Sequence, residues 1–435
     1  MKKAIGGRDK SKISREIPTL KDAALDIIEY AIKKADPYLS TLDILGTLGI
    51  DSGRELVILS VGKAAVPMAK AAQDAFGDRI KRGLIVTKYG HSKGFSSEYF
   101  DIIEAAHPVS DENSVKAAEK GLETVRNLKD EVCIVLLSGG GSALFEKSSV
   151  PFEVQRDITK KLLARGAEIE EINSVRRSIS LIKGGRLAAA AYPAKVITVA
   201  LSDVLGNNKT AIASGITVPE APDRDELDKI AEKYLPEYRE LLKKAAGEYT
   251  EIKVNNGGYF FAGDINLLCQ AAEDRAEQLG FTIAGSSRSL TGEARDAAKR
   301  LIAGVTDKDE NKDENKNKSE KRAYIYGGET TVTLKGDGLG GRNQEMALAA
   351  AIELKGKENI VFASAGSDGT DGPTDAAGGI ADGETFAEIE RNGLDPYAEL
   401  ENNNSYYALK SASALIVTGP TGTNVNDLSL ILTVG

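Results

Sequence analysis

Three consecutive glycines in the run SGGGSALF, Ser138 to Phe145, let backbone N–H groups converge on an anion with no Cβ in the way. Ser138, Gly139, Gly140, Gly141 and Ser142 are therefore candidates for binding a phosphate or a carboxylate, with a bare tight turn as the alternative. Lys63, in SVGKAA, opens a helix directly after an apolar run, beside a positive helix N-terminus that also suits an anion. It belongs to no Walker A loop, because the glycine required five residues before Gly62 is Val57. An exposed helix-start lysine is the plainer reading. His107, in HPVSDENS, stands at a strand end with Asp111 and Ser114 after it, where a capping turn and a catalytic histidine are equally open.

The stretch INSVRRSISLIKGGRLA carries Arg176, Lys183 and Arg186 toward Asp203, the first acid after the apolar run AKVITVALSDV. A carboxylate there can take a hydroxyl proton, hold a divalent cation, or cap the next element together with Ser202. KGDGLGGRNQEMA satisfies the G-x-G-x-x-G spacing with Gly336, Gly338 and Gly341. Arg342 follows at once, and no acid ends the next strand near the position where a ribose contact belongs, Asp368 lying farther on. Arg342 suits a bidentate grip on phosphate or carboxylate better than a pyrophosphate turn. In SAGSDGTDGPTDAAG, the acids Asp368, Asp371 and Asp375 crowd a Gly-rich loop, which calls for Mg²⁺ or a nearby Arg unless the turn is simply solvated.

Composition narrows the chemistry further. With 2 His, 2 Cys and no Trp in 435 residues, a Cys/His zinc cage, a disulfide framework and a haem pocket of usual design are excluded. Cys133 and Cys269 read as small buried hydrophobes. Lys plus Arg number 56 against 65 Asp plus Glu, a net charge of −9 with no basic stripe, so nucleic acid is not an expected partner. The basic N-terminus lacks the apolar core of a signal peptide and no later run approaches about 18 apolar residues, so no membrane partner is expected and the reading is cytoplasmic.

These residues need a scaffold that brings loop ends together. ELVILSVG, GLIVTKYG, EVCIVLLSGGG and AKVITVALSDV are apolar throughout, end in Gly or Asp, and are mostly separated by helical patterns. Strands of that kind are covered on both faces, which predicts an α/β fold: a Rossmann-like, doubly wound parallel sheet over residues 18–245. A second α/β domain is expected over 250–435, where alternating α and β patterns resume. Its last strands, around ASALIVTG and LSLILTVG, are expected to pair. Residues 306–322, with a tandem DENK repeat and no aliphatic side chain, are expected to form a disordered, charged, solvent-exposed insertion.

Taken together, SGGGSALF, NSVRRSISLIKGGRLA, LSDV, GGETTVT, GLGGRNQEMAL, SAGSDGTDGPTDAAGG and TGPTGTNVNDL resemble the class II glycerate kinases, the MOFRL family, over about Asp22 to Leu430. The resemblance implies a Rossmann-like N-terminal domain, a smaller C-terminal α/β domain with the active-site cleft between them, and ATP- and Mg²⁺-dependent phosphorylation of D-glycerate, with 2-phospho-D-glycerate the expected product. Lys63 and Arg342 fall on positions the family is thought to use in catalysis, and Asp203 and Asp368 on its acidic ones, Asp203 as catalytic group or metal ligand and Asp368 as metal ligand. The phosphate- or substrate-binding set is Ser138 to Ser142 with Arg186, Gly340 and Gly341. The chain departs from the family after LSDV, reading LGNNKTAIASGIT where the family runs close to PGDDP, and at AGDINLL. The rival enzyme reading is an NAD(P)H-dependent hydroxypyruvate reductase; a non-catalytic two-domain binding protein is a third. The sequence leaves the oligomeric state open, a homodimer included.

Overall fold

Each fully apolar run of the N-terminal half becomes a strand, and the loops that follow the strands lie along one edge of a sheet. The structure, a computed structural model, describes residues 19–310 and 320–435. Strands β1 (Leu56–Val61), β2 (Ile80–Lys88), β3 (Phe100–Ala105), β4 (Val132–Leu137), β5 (Lys195–Leu201) and β6 (Asn255–Gly263) form one sheet in the order β3-β2-β1-β4-β5-β6. Every pairing in it is parallel. Leu56 and Ile58 of β1 share a core with Met68 and Ala72 of the helix Ala65–Phe76, whereas Val57 and Leu59 share another with Ala118 and Leu122 of the helix Glu112–Val125. Helices on both faces explain why β1 and β4 are buried at every residue. The strand order reverses between β1 and β4, the crevice where ligands collect in such sheets.

The second sheet holds β7 (Thr282–Leu290), β8 (Lys321–Gly328), β9 (Ile360–Gly366), β10 (Gly378–Asp382), β11 (Leu415–Ile416) and β12 (Asp427–Val434), in the order β11-β10-β9-β12-β8-β7. Only β7 and β8 run parallel; β12 lies antiparallel to both β8 and β9. The expected pairing of the two last strands does not form. The apolar run DLSLILTV fits a central, two-sided position, and the two-residue β11 joins β10 at the edge. This insertion has a consequence for the site: Asp427, the first residue of β12, stands opposite Gly328 and Gly366, the last residues of β8 and β9.

The expected break near residues 245–250 does not coincide with the boundary between the sheets. β6 pairs with β5, from Lys195 opposite Asn255 to Leu201 opposite Gly263, and so completes the first sheet. Conversely, the helix Leu20–Lys34 buries Ala24, Ile27, Ile28 and Ala31, and packs on the helix Ile265–Gln278 and on β9 and β12 of the second sheet. Arg275 reinforces that contact through a 2.5 Å bond to Asp26. The charged stretch 306–322 is likewise not all loop: the helix from Ala294 continues to Glu310 and β8 begins at Lys321, while residues 311–319 lie outside those described. Lys and Glu are good helix formers, so a polar composition does not end a helix. Among the described residues no helix is long and apolar enough to cross a membrane.

Candidate active site

The loops after β1 and β4 are built as one unit at the reversal of strand order. Gly62 has φ +131°, and a Cβ there would lie 2.2 Å from Ser138 Oγ, so only glycine lets the two loops touch. Ser138 Oγ accepts a bond from the Ala64 N–H at 3.0 Å, and the Lys63 N–H donates to Gly139 O at 2.9 Å. A Cβ on Gly140, at φ +87°, would sit 3.0 Å from the His107 ring and 3.4 Å from Lys63 Cγ; one on Gly139 would sit 2.7 Å from Asp203 Oδ2. Four loops, after β1, β3, β4 and β5, thus bring Lys63, His107, the glycines and Asp203 together. Among the described residues no group accepts a bond from the Gly139 or Gly140 N–H. They border a cavity of about 220 Å³ that Ser138, Gly141, Ser142, His107, Arg176 and Asp203 also line.

The glycine loop is held from behind. Lys183, fully buried, donates to Ser142 O at 3.0 Å and Phe145 O at 3.2 Å, and lies 3.1 Å from Glu146 Oε2. Burial lowers its pKa, and the Glu146 charge opposes that shift. Replacing Lys183 with Met leaves the Glu146 carboxylate buried without its ammonium, and should cost about 3–5 kcal/mol of stability in urea unfolding. Ser142 Oγ meets Ser214 Oγ at 2.9 Å, and Ser214 in turn donates to Asn173 Oδ1 at 3.0 Å.

Burial, with Lys63 and Lys88 nearby, depresses the His107 pKa to about 4, so the imidazole is neutral near pH 7. Burial pushes the Asp203 carboxyl above its ordinary range, Lys63 opposes the shift and Glu329 adds to it. A carboxylate with raised proton affinity beside a cation is equipped to accept a hydroxyl proton. Since the Gly139 backbone lies so close to Asp203, Gly139→Ala should push that carboxylate aside and lower kcat by roughly 100-fold, the scale of a 1 Å misplacement. The thermal midpoint should move little, because the displaced group is a side chain that still reaches solvent.

Facing this edge is the corresponding edge of the second sheet. Arg342, first residue of the helix Arg342–Glu353, grips Asp427 through Nε at 2.5 Å and Nη2 at 3.0 Å, while Nη1 reaches Glu329 at 2.8 Å. Burial alone would weaken the guanidinium charge, but Asp427 and Glu329 more than restore it. Burial raises the Asp427 carboxyl to about 6 against the pull of Arg342. Asn426 joins the two edges, its Nδ2 donating to Asp203 O at 2.9 Å and to Glu329 at 3.5 Å.

Other residues singled out from sequence make contacts within the fold. The amides of Gly336, Asp337, Gly338 and Leu339 are taken up by the side chains or backbone of Asn402, Asn403 and Asn404, so the first turn of the G-x-G-x-x-G match is closed. Gly340 and Gly341, expected to bind phosphate or substrate, press against Ser405 and Asp371, where any Cβ would come within 2.2 and 2.3 Å of a neighbouring atom. Arg186, from the same expected set, donates to the carbonyls of Arg177 and Lys183 and stacks on Tyr249, away from the glycine cavity. Asp371 caps the helix of Arg342 by accepting from the Asn343 and Gln344 amides, and Asp375 accepts from Tyr406. Asp111 and Ser114 form a capping box, whereas His107 goes to the cavity. Asp368 Oδ1 accepts from the Thr370 N–H and hydroxyl, at the second sheet's edge. Burial raises both thiols to about 12, so neither cysteine is a nucleophile.

Glu329, Asn426 and Asp427 were not singled out from sequence, and only the interior position of β12 reveals them. Arg176 was noted but given no role.

Residues 23–246 match the model described as a domain of unknown function, DUF4147, and residues 322–427 match the MOFRL family. The chain is 45% identical to the D-glycerate 2-kinase of Thermotoga maritima, covering 96% of this chain and 99% of that protein. It is 36% identical, over 93% of each chain, to a protein of Agrobacterium vitis named putative hydroxypyruvate reductase. The crystal structure of the Thermotoga maritima glycerate kinase superposes with a TM-score of 0.89 at 44% identity, covering 95% of this chain and 99% of that one. A full-length match in sequence and in fold leaves one conclusion: this chain belongs to the MOFRL-type glycerate kinase family.

Proposed function

We propose that the protein transfers the γ-phosphoryl group of ATP to the C2 hydroxyl of D-glycerate, giving 2-phospho-D-glycerate and ADP. The observation that carries this reading is the state of the Gly139–Gly140 loop. Its amides carry no hydrogen bond and border the cavity that Arg176 and Asp203 line, with Lys63 next to Gly140. An open anion cradle flanked by Lys and Arg favours phosphoryl transfer, and the amides from Gly336 to Leu339, consumed within the fold, leave the first turn of the G-x-G-x-x-G match nothing to offer a dinucleotide's pyrophosphate. The cavity, at about 220 Å³, is below the ~300–1,000 Å³ of typical drug-sized sites and suits a three-carbon acid.

In this mechanism the C2 oxygen attacks the γ-phosphorus as its proton passes to Asp203, and the bond to the β,γ-bridging oxygen breaks to release ADP. Phosphoryl transfer asks mainly for positioning and charge neutralisation. Lys63 and the Gly139 and Gly140 amides supply these from the first sheet. Arg342, fixed by Asp427 and Glu329, supplies them from the second. Among the described residues no group of three or more His, Cys, Asp or Glu is arranged to hold a metal. Mg²⁺ that arrives on a nucleotide keeps several of its waters and asks the protein for only one or two carboxylates. Asp368, whose Oδ1 is held by Thr370, would offer it Oδ2, and the cation would neutralise charge on the β- and γ-oxygens.

Two assays on the same preparation separate the readings. ADP release with D-glycerate and ATP, without NADH consumption with hydroxypyruvate, is expected; the reverse pattern would overturn the proposal.

A further inference from the structure

We propose that Arg176 selects the acceptor, gripping the carboxylate of the substrate inside the cavity that the Gly139–Gly141 loop borders; this rests on the phosphoryl-transfer reading above. Arg176 lies on the helix Ile169–Ser178, whose Ile172, Asn173, Ser174 and Val175 are buried, and its side chain is 12% exposed. It lines the same cavity as Ser142, His107 and Asp203. Its Nε is buried and makes no hydrogen bond. A buried donor left unpaired is destabilising, more so when charged, and calls for a partner not yet in place.

The protein does not supply that partner. The nearest acid, Glu146, reaches only 4.0 Å from Arg176 Nε, and its same oxygen stands 3.1 Å from the Lys183 ammonium. That oxygen is thus engaged by Lys183, which also donates to Ser142 O and Phe145 O, and the Arg176 guanidinium is left with no hydrogen-bonded carboxylate at the cavity wall. The carboxylate of an acidic acceptor would supply one.

The form of the group points the same way. A guanidinium presents parallel N–H donors that match the two oxygens of a carboxylate. Lys63 stands across Gly140 beside His107, at the part of the loop assigned to the nucleotide phosphates. Ser142, which lines the cavity, is held from behind by Ser214 and by Asn173 of the Arg176 helix, and its hydroxyl offers a partner for the acceptor's own hydroxyls.

The test compares the parent with Arg176→Met and Arg176→Lys, using D-glycerate and the neutral triol glycerol as acceptors and titrating ATP separately. Arg176→Met should raise the KM for D-glycerate roughly 100-fold or more, the scale of truncating one partner of a buried charge pair. The KM for ATP should stay unchanged, the preference for D-glycerate over glycerol should collapse, and Arg176→Lys should recover part of the loss. An unchanged KM for D-glycerate, or a parallel rise in the KM for ATP, would overturn the assignment. If Arg176→Met does not fold, Arg176→Lys carries the test alone: a raised KM for D-glycerate at constant KM for ATP supports the assignment, and an unchanged one refutes it. Calorimetric binding of D-glycerate keeps this distinct from the reaction itself. A parent that binds D-glycerate without turnover refutes the kinase reading, whereas equal binding by parent and Arg176→Met refutes the role of Arg176.

Discussion

Arg342→Ala is expected to lower kcat/KM for D-glycerate by roughly 10³- to 10⁵-fold, the scale of losing an arginine that stabilises a transferring phosphoryl group. The size follows from how the guanidinium is held. Two of its nitrogens are fixed by Asp427 and the third by Glu329, so the group is oriented before any substrate arrives. Arg342→Lys should recover little, because a single ammonium cannot hold both carboxylates and still face the cleft. Removing the side chain also strands Asp427, whose side chain is 8% exposed. The Ala variant should therefore lose about 3–5 kcal/mol of stability at a pH where Asp427 is ionised. Arg342 holds that carboxyl down against burial, so in the variant it rises above the parent's value of about 6, and protonation relieves the loss as pH falls through that higher value. Steady-state kinetics on a variant shown to be folded by circular dichroism separates the two effects. A kcat/KM within a few-fold of the parent would remove Arg342 from the mechanism.

Asp203→Asn should lower kcat by roughly 10²- to 10⁴-fold, the contribution of a positioned general base, and yet make the protein more stable near neutral pH. Both effects come from burial. The folded-state pKa of Asp203 lies above its ordinary value, so the folded chain binds this proton more tightly than the unfolded chain does. Stability from this group therefore falls as pH rises from the unfolded pKa of about 3.9 through the folded one, and the full penalty stands above the latter. Asn removes the penalty, so the variant should melt higher than the parent at neutral pH, with the gain shrinking toward pH 4. The parent's kcat/KM should fall as pH drops through the folded pKa, and the residual activity of Asp203→Asn should lack that limb. A variant less stable than the parent at neutral pH would show that the carboxylate holds the fold together.

The first sheet was legible because β1, β2, β4 and β5 are apolar where helices cover both faces, and β1, β4 and β5 lead into the residues that do chemistry. β3 was harder to see because it is an edge strand of mixed burial, and β10 because its start, Gly378 and Gly379, reads as part of a glycine loop. The position of β12 between β8 and β9 depends on long-range pairings that no local pattern encodes. That one fact hid Asp427 and Glu329. Gly340 and Gly341 show a different ambiguity, since a glycine required by close packing and one required by a phosphate look alike in sequence. Arg176 and Arg186 sit ten residues apart in one motif, but only the former faces the cavity, and spacing alone does not tell them apart.

The central claim is that phosphate moves from ATP to the C2 oxygen of D-glycerate, and a proton-coupled phosphorus spectrum of the product tests it most directly. An ester at C2 couples its phosphorus to a single carbon-bound proton and gives a doublet; an ester at C3 couples to two and gives a triplet. The doublet, appearing in step with ADP, is the predicted result. A triplet would place the transfer on the wrong oxygen, and the absence of any new phosphate ester would contradict the account altogether.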